Sequence, residues 1–386
     1  MSKSSLRALY VILPLLLACH PSIGTFTVDT LPGGIVRAHS TGPTAWQDTA
    51  GWRLVRELVI RPPEGSDTAF GREGMLVADE ATGEIYVLDR GPAVIKRFDR
   101  SGRTLGFIGR EGAGPGEFRD MGNLYLADSF LVHHDFLLRR FSVFTRDGRF
   151  VRTFPSTSLV GMELRADDRG RMPVVISEPR GKGTPEEGLA RYRVDGAITD
   201  TLWYPELPEG RWWNVERGRV SAAHAIPFTT SSVSVLDHAG EWVIGVGGAG
   251  KFILAHSASD TLRIIEAEFP TFPVTDEVRR RVVDSLTEKY QWLVGTAKVE
   301  DVPTSLPPWD LLEVDRAGEL WVRRQTDIGT RRWSVLAPDG RWLGDVPAPF
   351  GDVTSSFWGK DRVYLLTENA DGFPQVEVWR IDRTVR

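Results

Sequence analysis

The feature that most constrains the fold is a set of short apolar segments, separated by tight turns, in residues 74–118. Four segments rich in Val, Ile, Leu, Tyr and Phe, each about five to eight residues long, alternate with breaks that supply Gly, Pro or Asp. This spacing predicts four antiparallel strands joined by hairpins. Because one such sheet leaves an apolar face uncovered, the unit predicts further copies of itself, packed face to face around an axis.

The rest of the chain carries diverged copies of this unit. Aligning Gly102 with Gly148 places residues 84–104 over residues 130–150 without a gap. A shorter signature, an apolar run that meets a turn with Asp or Gly and continues into a second apolar run, begins at Leu76, Leu124, Glu163, Val233, Leu311 and Ser355. Six units of about 40 to 50 residues account for nearly the whole chain. The sequence therefore predicts an all-β fold, a six-bladed β-propeller of four-stranded antiparallel blades.

Composition agrees with many tight turns between aromatic-rich strands, since the 386 residues include 39 Gly, 24 Pro and 13 Trp and show little helical periodicity. The formal net charge of −5, without a basic stripe, argues against a nucleic-acid partner. The chain contains one cysteine, so no intramolecular disulfide can form and the β core must stabilise the fold. We expect a monomer.

The first 18 residues have the pattern of a signal peptide. Lys3 and Arg7 precede an apolar run, residues 9–17, that is too short to span a bilayer, and Leu-Leu-Ala-Cys closes it at residues 16–19. This ending resembles the lipobox of bacterial lipoproteins, and the resemblance implies cleavage before Cys19 and acylation of Cys19. Because His20 rather than Asp follows, the sorting rule of that class favours the outer membrane. An ordinary secretory signal, with Cys19 incidental, is the alternative.

The remaining chain divides into a tether and a propeller. Residues 19–45 are rich in Ser, Thr, Gly and Pro, which favours a tether, and residues 46–386 form the propeller. The last unit lacks an outer strand before the chain ends, so residues 52–60 are predicted to supply it and close the ring. Apolar residues at helical spacing predict one inserted helix in residues 274–294, which packs over a mouth or flank of the ring or, alternatively, docks a partner. A second insertion, residues 177–189, is predicted to be a solvated loop.

Three segments of the first unit resemble a known family, namely residues 84–89, 95–102 and 109–118. They resemble an NHL-type blade, and the chain as a whole is similar to the six-bladed propeller lipoproteins of Gram-negative bacteria that are related to NHL-repeat and TolB-like propellers. The resemblance implies a lipid-anchored propeller of the bacterial cell envelope. It is clearest in the first two units.

The turns between strands two and three supply the candidate ligand-binding residues. If the alignment of the units holds, these turns lie on one rim of the ring, where mixed charge suits a polar or anionic ligand. The candidates are Asp89, Arg90, His133, His134, Asp135, Arg323 and Arg324. The alternative is that they are unconnected surface charges.

Catalytic templates are scarce in this sequence. No His-Glu-Xaa-Xaa-His motif and no Gly-Xaa-Ser-Xaa-Gly elbow is present, and acylation would remove Cys19 as a nucleophile. We therefore expect a binding or scaffolding module, without a cofactor or a catalytic residue, for a peptide, glycan, small molecule or envelope protein. The alternative is a metal-dependent hydrolase or lyase, resembling lactonase or amidating-lyase propellers, with Zn or Ca in the central channel. His133, His224 and His256 are the weak metal candidates of that alternative.

Overall fold

The computed structural model describes residues 24–46, 51–71, 73–89, 91–119, 122–158, 163–178, 186–207, 210–217, 220–257, 260–347, 349–350 and 353–384. These residues form an all-β propeller of six blades with a single α-helix. The predicted fold class is confirmed.

Three strands and a short 3-10 turn, Pro32–Gly34, precede the first blade. The strands are β1 (Thr25–Thr30), β2 (Val36–Thr41) and β3 (Arg53–Ile60).

Blades 1 and 2 are four-stranded antiparallel sheets whose strands run outward in sequence order. Blade 1 contains β4 (Glu73–Asp79), β5 (Glu84–Asp89), β6 (Val94–Phe98) and β7 (Thr104–Ile108). Blade 2 contains β8 (Gly122–Ala127), β9 (Phe130–Asp135), β10 (Arg140–Thr145) and β11 (Phe150–Pro155). The first strand of blade 1 contacts the first strand of blade 2, so these strands lie nearest the axis of the ring.

Blade 3 has three regular strands, and residues 163–166 lie on its axial side without regular strand geometry. Its strands are β12 (Met172–Glu178), β13 (Glu186–Tyr192) and β14 (Ile198–Trp203). The predicted solvated loop, residues 177–189, is too long, because β12 extends to Glu178 and β13 begins at Glu186 and buries Leu189. Residues 179–185 lie outside the described residues. A further hairpin, β15 (Trp212–Arg217) with β16 (Val220–Ala225), follows and belongs to no blade.

The other blades complete the ring. Blade 4 contains β17 (Val233–Leu236), β18 (Trp242–Val246), β19 (Lys251–Ser257) and β20 (Asp260–Ala267). After the helix α1 (Asp276–Lys289) and two 3-10 turns (Gln291–Leu293 and Val299–Asp301), blade 5 contains β21 (Leu311–Val314), β22 (Leu320–Asp327), β23 (Thr330–Leu336) and β24 (Trp342–Pro347). Blade 6 contains β25 (Val353–Trp358), β26 (Arg362–Glu368) and β27 (Pro374–Asp382).

Ring closure follows the prediction from the sequence. The strand β3 pairs antiparallel with β27, from Ile60 opposite Val376 to Arg53 opposite Asp382, and so supplies the fourth strand of blade 6. This pairing covers an edge that would otherwise be free to pair with another chain.

The segment before β3 contradicts the predicted tether. The strand β2 pairs in parallel with β20, the outer strand of blade 4, and β1 pairs with β2. Further along, the backbone N–H of Trp46 donates to the carbonyl of Leu343 in β24 at 2.9 Å. The N-terminal segment thus contacts blades 4, 5 and 6 in turn. A tether that extends to residue 45 is wrong, because these residues satisfy their backbone groups in the sheets; residues 1–23 lie outside the described residues.

Strand alternation places the core between neighbouring blades. On β4, Leu76 and Ala78 pack toward blade 6, whereas Met75 and Val77 pack toward blade 2. Similar apolar clusters join blade 2 to blade 3, blade 3 to blade 4, blade 4 to blade 5 and blade 5 to blade 6. Each fully buried large apolar side chain contributes about 1.5–3 kcal/mol, so the six interfaces together stabilise the closed ring.

The inserted helix is confirmed, and its partner is the hairpin that the sequence analysis missed. Thr275 caps α1 by accepting the backbone N–H of Val278 on its hydroxyl at 3.3 Å. Val283 of the helix packs with Trp213 and Ile226 in an apolar cluster separate from the blades. We call residues 210–228 and 275–306, within their described parts, the insertion module. No helix of the described chain is long and apolar enough to cross a membrane.

Candidate functional site

Two of the predicted ligand-binding residues, Asp89 and Asp135, end the second strands of blades 1 and 2, as the alignment required. Neither carboxylate is exposed to solvent. Asp89 is paired with buried Lys96 at 2.7 Å and accepts the backbone N–H of Gly71 at 2.8 Å. Asp135 accepts the backbone N–H of Arg119 at 2.8 Å. The expected exposure on a rim is therefore corrected, because both carboxylates stabilise loops from inside the fold.

His133 and His134 are also interior residues. His133 is fully buried 4.2 Å from the ring of Phe118, and burial lowers its pKa to about 3. Burial also lowers the pKa of His134 to about 3, and its Nε2 lies 2.7 Å from the hydroxyl of Ser156. Both rings are therefore neutral at pH 7 and belong to the core of blade 2.

The two arginines differ sharply from each other. Arg324 is buried in blade 5, where it donates to Ser334 at 3.0 Å and lies over the ring of Phe269 at 4.7 Å. Arg323, on the other face of β22, lines a cavity in the central channel. Arg90 lies outside the described residues. Among the described predicted residues, Arg323 thus lines the cavity in the channel.

The histidine metal set does not form within the described chain. His133 lies in blade 2, and His224 lies in the insertion module, 5.5 Å from the ring of Tyr290. His256 is exposed on blade 4 and pairs with Glu241 at 2.7 Å. Among the residues that the structure describes, no three His, Cys, Asp or Glu side chains lie close enough together to hold a metal ion.

The axial strands instead bring together a polar group in the channel, which we call the channel cluster. It combines two carboxylates, two guanidinium groups and two hydroxyls from blades 3, 5 and 6. Its members are Glu163, Arg165, Glu313, Arg323, Ser355 and Ser356.

Part of the channel cluster crosses the axis. The hydroxyl of Ser355 in blade 6 donates to the carboxylate of Glu163 in blade 3 at 2.5 Å. The same hydroxyl accepts the backbone N–H of Leu76 from blade 1 at 3.1 Å. Arg165 donates to the carboxylate of Glu163 and to the carbonyl of Ser356. Because blades 3 and 6 lie opposite each other in the ring, these bonds link two sides of the channel.

Glu313 has the most unusual electrostatic position in the channel cluster. Burial raises the pKa of its carboxyl to about 7, and the neighbouring charge of Glu163 acts in the same direction. A hydrogen bond from the hydroxyl of Ser356, at 2.9 Å, opposes the shift, as do the charges of Arg165 and Arg323. At neutral pH both protonation states are populated, so Glu313 can either donate or accept a hydrogen bond.

The cavity beside the channel cluster has a volume of about 360 Å³. Its polar wall is formed by the members of the cluster other than Arg165, and its apolar wall includes Leu311, Phe350, Val353 and Leu365. We call the end of the ring at which the first strands begin the loop end, and Leu311 and Val353 place this cavity near it. A cavity of this size with a few converging polar groups fits a small molecule.

A second cavity, of about 400 Å³, lies at the opposite end of the channel, where strands one and two are joined. Its acidic side chains are largely engaged by arginines: Asp79 pairs with Arg146 at 3.0 Å and Asp168 with Arg316 at 3.3 Å. Arg165 lines this second cavity, whereas Glu163 lines the first. The contacts of Arg165 therefore lie between the two cavities.

Sequence reasoning missed five members of the channel cluster. A signal was present, because Glu163, Arg165 and Glu313 interrupt the apolar runs of the repeated signature, and Ser355 with Ser356 occupy the same run in the last unit. A polar side chain in an axial strand has no core to enter and reaches the channel instead.

No family model and no curated protein matches the sequence. Among solved structures, the fold is similar to a putative exported protein from Bacteroides fragilis (TM-score 0.46, 11% identity, covering 86% of this chain and 95% of that one). It is similar to a streptogramin B lyase (TM-score 0.40, 12% identity, 84% and 97% covered). It is also similar to regucalcin, a calcium-binding protein, from Agrobacterium tumefaciens (TM-score 0.35, 12% identity, 86% and 96% covered). Likenesses this distant assign no activity to this chain.

Proposed function

We propose that this protein is a lipid-anchored propeller of the bacterial cell envelope that binds a small polar ligand in its central channel. The main support for this proposal is the channel cluster, which faces a cavity of about 360 Å³ whose opposite wall is apolar. The lipobox at residues 16–19 and the resemblance of the first two units to NHL-type and TolB-like propellers support the location, with His20 favouring the outer membrane.

The groups in the cavity define the ligand. Arg323 donates through Nε to Asp310 at 2.7 Å, which orients the guanidinium, and its terminal amino groups carry further N–H donors. Glu313 can donate or accept, and Leu311 and Phe350 offer apolar contact. A small molecule with a carboxylate, carbonyl or hydroxyl at one end and an apolar body matches this arrangement.

The test is a thermal-shift screen of small carboxylates, amino acids, short peptides and sugars against the purified protein. Compounds that raise the melting temperature of the wild type are then tested on Arg323→Gln and Glu313→Gln. Arg281→Gln, which changes an exposed arginine on α1, is the matched control. We expect the shift to persist in the control and to be lost in the channel variants. Shifts that persist in both channel variants would contradict the channel as the site.

Acid–base catalysis is the second candidate function, because Glu313 titrates near neutral pH inside a ligand-sized cavity. In a hydrolase or lyase of this kind, Glu313 would transfer a proton to or from the substrate, and Arg323 would stabilise negative charge that develops on the substrate. A metal-dependent form does not fit the described residues, which bring no three ligating side chains together. The discriminating measurement is turnover on a panel of esters, lactones and uronides, compared between the wild type and Glu313→Gln.

A further inference from the structure

We infer that the outer edge of blade 4 and the insertion module form the face of this protein that lies against the lipid bilayer. This inference rests on the proposed acylation of Cys19. It goes beyond that proposal by identifying the side of the ring that faces the membrane.

The first argument is where the described chain begins. In the register of the sheet, Thr25 of β1 lies opposite Thr41, and Ser40 of β2 lies opposite Ala267 of β20. The strand β1 therefore starts at the end of β20 from which the chain leaves toward α1. Two strand spacings separate β1 from β20, which is about 10 Å. The chain thus enters the fold at the outer edge of blade 4, at the loop end.

The second argument is the length of chain that precedes this point. Five peptide steps separate Cys19 from Gly24, and a fully extended chain covers at most about 18 Å over that distance. A compact body of this size is about 50 Å across. The link is therefore too short for blade 4 to face away from the membrane that holds Cys19. Blade 4 faces that membrane, and blade 1 lies on the far side of the ring.

The third argument is the surface next to the anchor. The hairpin of the insertion module leads into β17, and α1 follows β20, so both parts project from the loop end of blade 4. The module exposes 48% of Trp212 and 53% of Val294, and β1 exposes 54% of Val28. Tryptophan favours the interface between lipid and water. Exposed apolar residues occur elsewhere on the ring, and these three are distinguished because they belong to β1 and to the insertion module, at the side of blade 4 where the described chain begins.

The experiment uses the full acylated protein in vesicles of phosphatidylethanolamine and phosphatidylglycerol. Because Cys19 is the chain's only cysteine and acylation blocks it, a cysteine introduced at one position can be labelled alone. Trp212→Cys and Val294→Cys report on the proposed face, and Phe107→Cys, on the outer strand of blade 1, is the matched control with 47% exposure. Each receives an environment-sensitive fluorophore, and lipids with a nitroxide at the headgroup provide the quencher.

We expect several-fold stronger quenching at positions 212 and 294 than at position 107. Equal quenching at all three positions in protein that sediments with the vesicles would overturn the inference and leave the anchoring intact. Protein that does not sediment with vesicles would instead refute the acylation on which the inference rests. Protection of the label at position 212 from a water-soluble quencher in lipid-free protein would show that a second copy covers this face, and would also overturn the inference.

Discussion

The hydroxyl of Ser355 lies 2.5 Å from the carboxylate of Glu163, across the central channel from blade 6 to blade 3. These residues are 192 positions apart in the chain, and they meet because both occupy axial positions on opposite sides of the ring. The bond ties the two halves of the propeller together at the place where the channel cluster faces its cavity.

We expect Ser355→Ala to destabilise the fold by about 1–3 kcal/mol, because the change leaves the buried Leu76 N–H without its hydroxyl acceptor and removes one hydrogen bond from the Glu163 carboxylate. Urea denaturation measures this loss. Ser285→Ala, on the exposed face of α1, is the control and should change stability by less than about 0.5 kcal/mol. Equal effects of the two changes would show that the cross-channel bond contributes nothing.

The N-terminal hairpin should contribute to stability chiefly through its second strand. Most of β1 is exposed, whereas β2 buries Ala38 and Ser40 against blades 4 and 5. A soluble variant that begins at Ile35 should melt close to one that begins at Gly24. A variant that begins at Pro43 should lose at least about 2 kcal/mol, since it uncovers the edge of β20. Three equal melting temperatures would show that β2 is only loosely attached.

Removal of β3 should open the ring. A variant that begins at Arg61 leaves the edge of β27 unpaired from Val376 to Asp382. We expect this variant to aggregate on size-exclusion chromatography, because a free, apolar strand edge pairs with other chains. The variant that begins at Pro43 keeps β3 and leaves only the edge of β20 free, so it should aggregate less than the variant that begins at Arg61. Equal elution of the two variants would refute closure by β3.

Acid should destabilise the fold through the two buried histidines. Their pKa values are about 3 in the folded chain, against an ordinary value of 6.5. The unfolded chain therefore binds more protons between these values, and the free energy of unfolding falls as the pH decreases from about 6.5 toward 3. Melting temperatures across this range measure the slope. His133→Leu should make the slope shallower, and an unchanged slope would contradict burial of a neutral ring.

Glu313 should affect stability in the opposite direction. Burial raises the pKa of its carboxyl from 4.5 to about 7, so the folded chain binds more protons than the unfolded chain between these values. Stability from this group is present below pH 4.5 and is lost as the pH rises through 7. Relative to the wild type, Glu313→Gln should become more stable from pH 5 to pH 8, by on the order of 2–3 kcal/mol. Glu288→Gln, on the surface of α1, should show a constant difference.

The architecture could be predicted from local sequence patterns, since strand spacing and turn chemistry depend on neighbouring residues. Repeated apolar runs separated by Gly, Pro and Asp were enough to predict six blades, and the missing outer strand of the last unit was enough to predict β3. Apolar residues at helical spacing were enough to predict α1. The lipobox at Cys19 stays a prediction.

Which polar residues face a cavity could not be predicted in this way, because it depends on contacts between segments that are distant in the chain. Strand ends were expected to present Asp89 and His133 to solvent, but neighbouring blades and loops cover both side chains. Glu163 and Ser355 each lie at the start of an apolar segment that resembles an ordinary strand. They form a site because ring closure brings distant axial segments together. The parallel pairing of β2 with β20 likewise has no local signal, since it depends on an edge that exists only after blade 4 has formed. Preferences for strands, turns and helices depend on neighbouring residues, whereas contacts between distant segments depend on which surfaces of the folded ring remain uncovered.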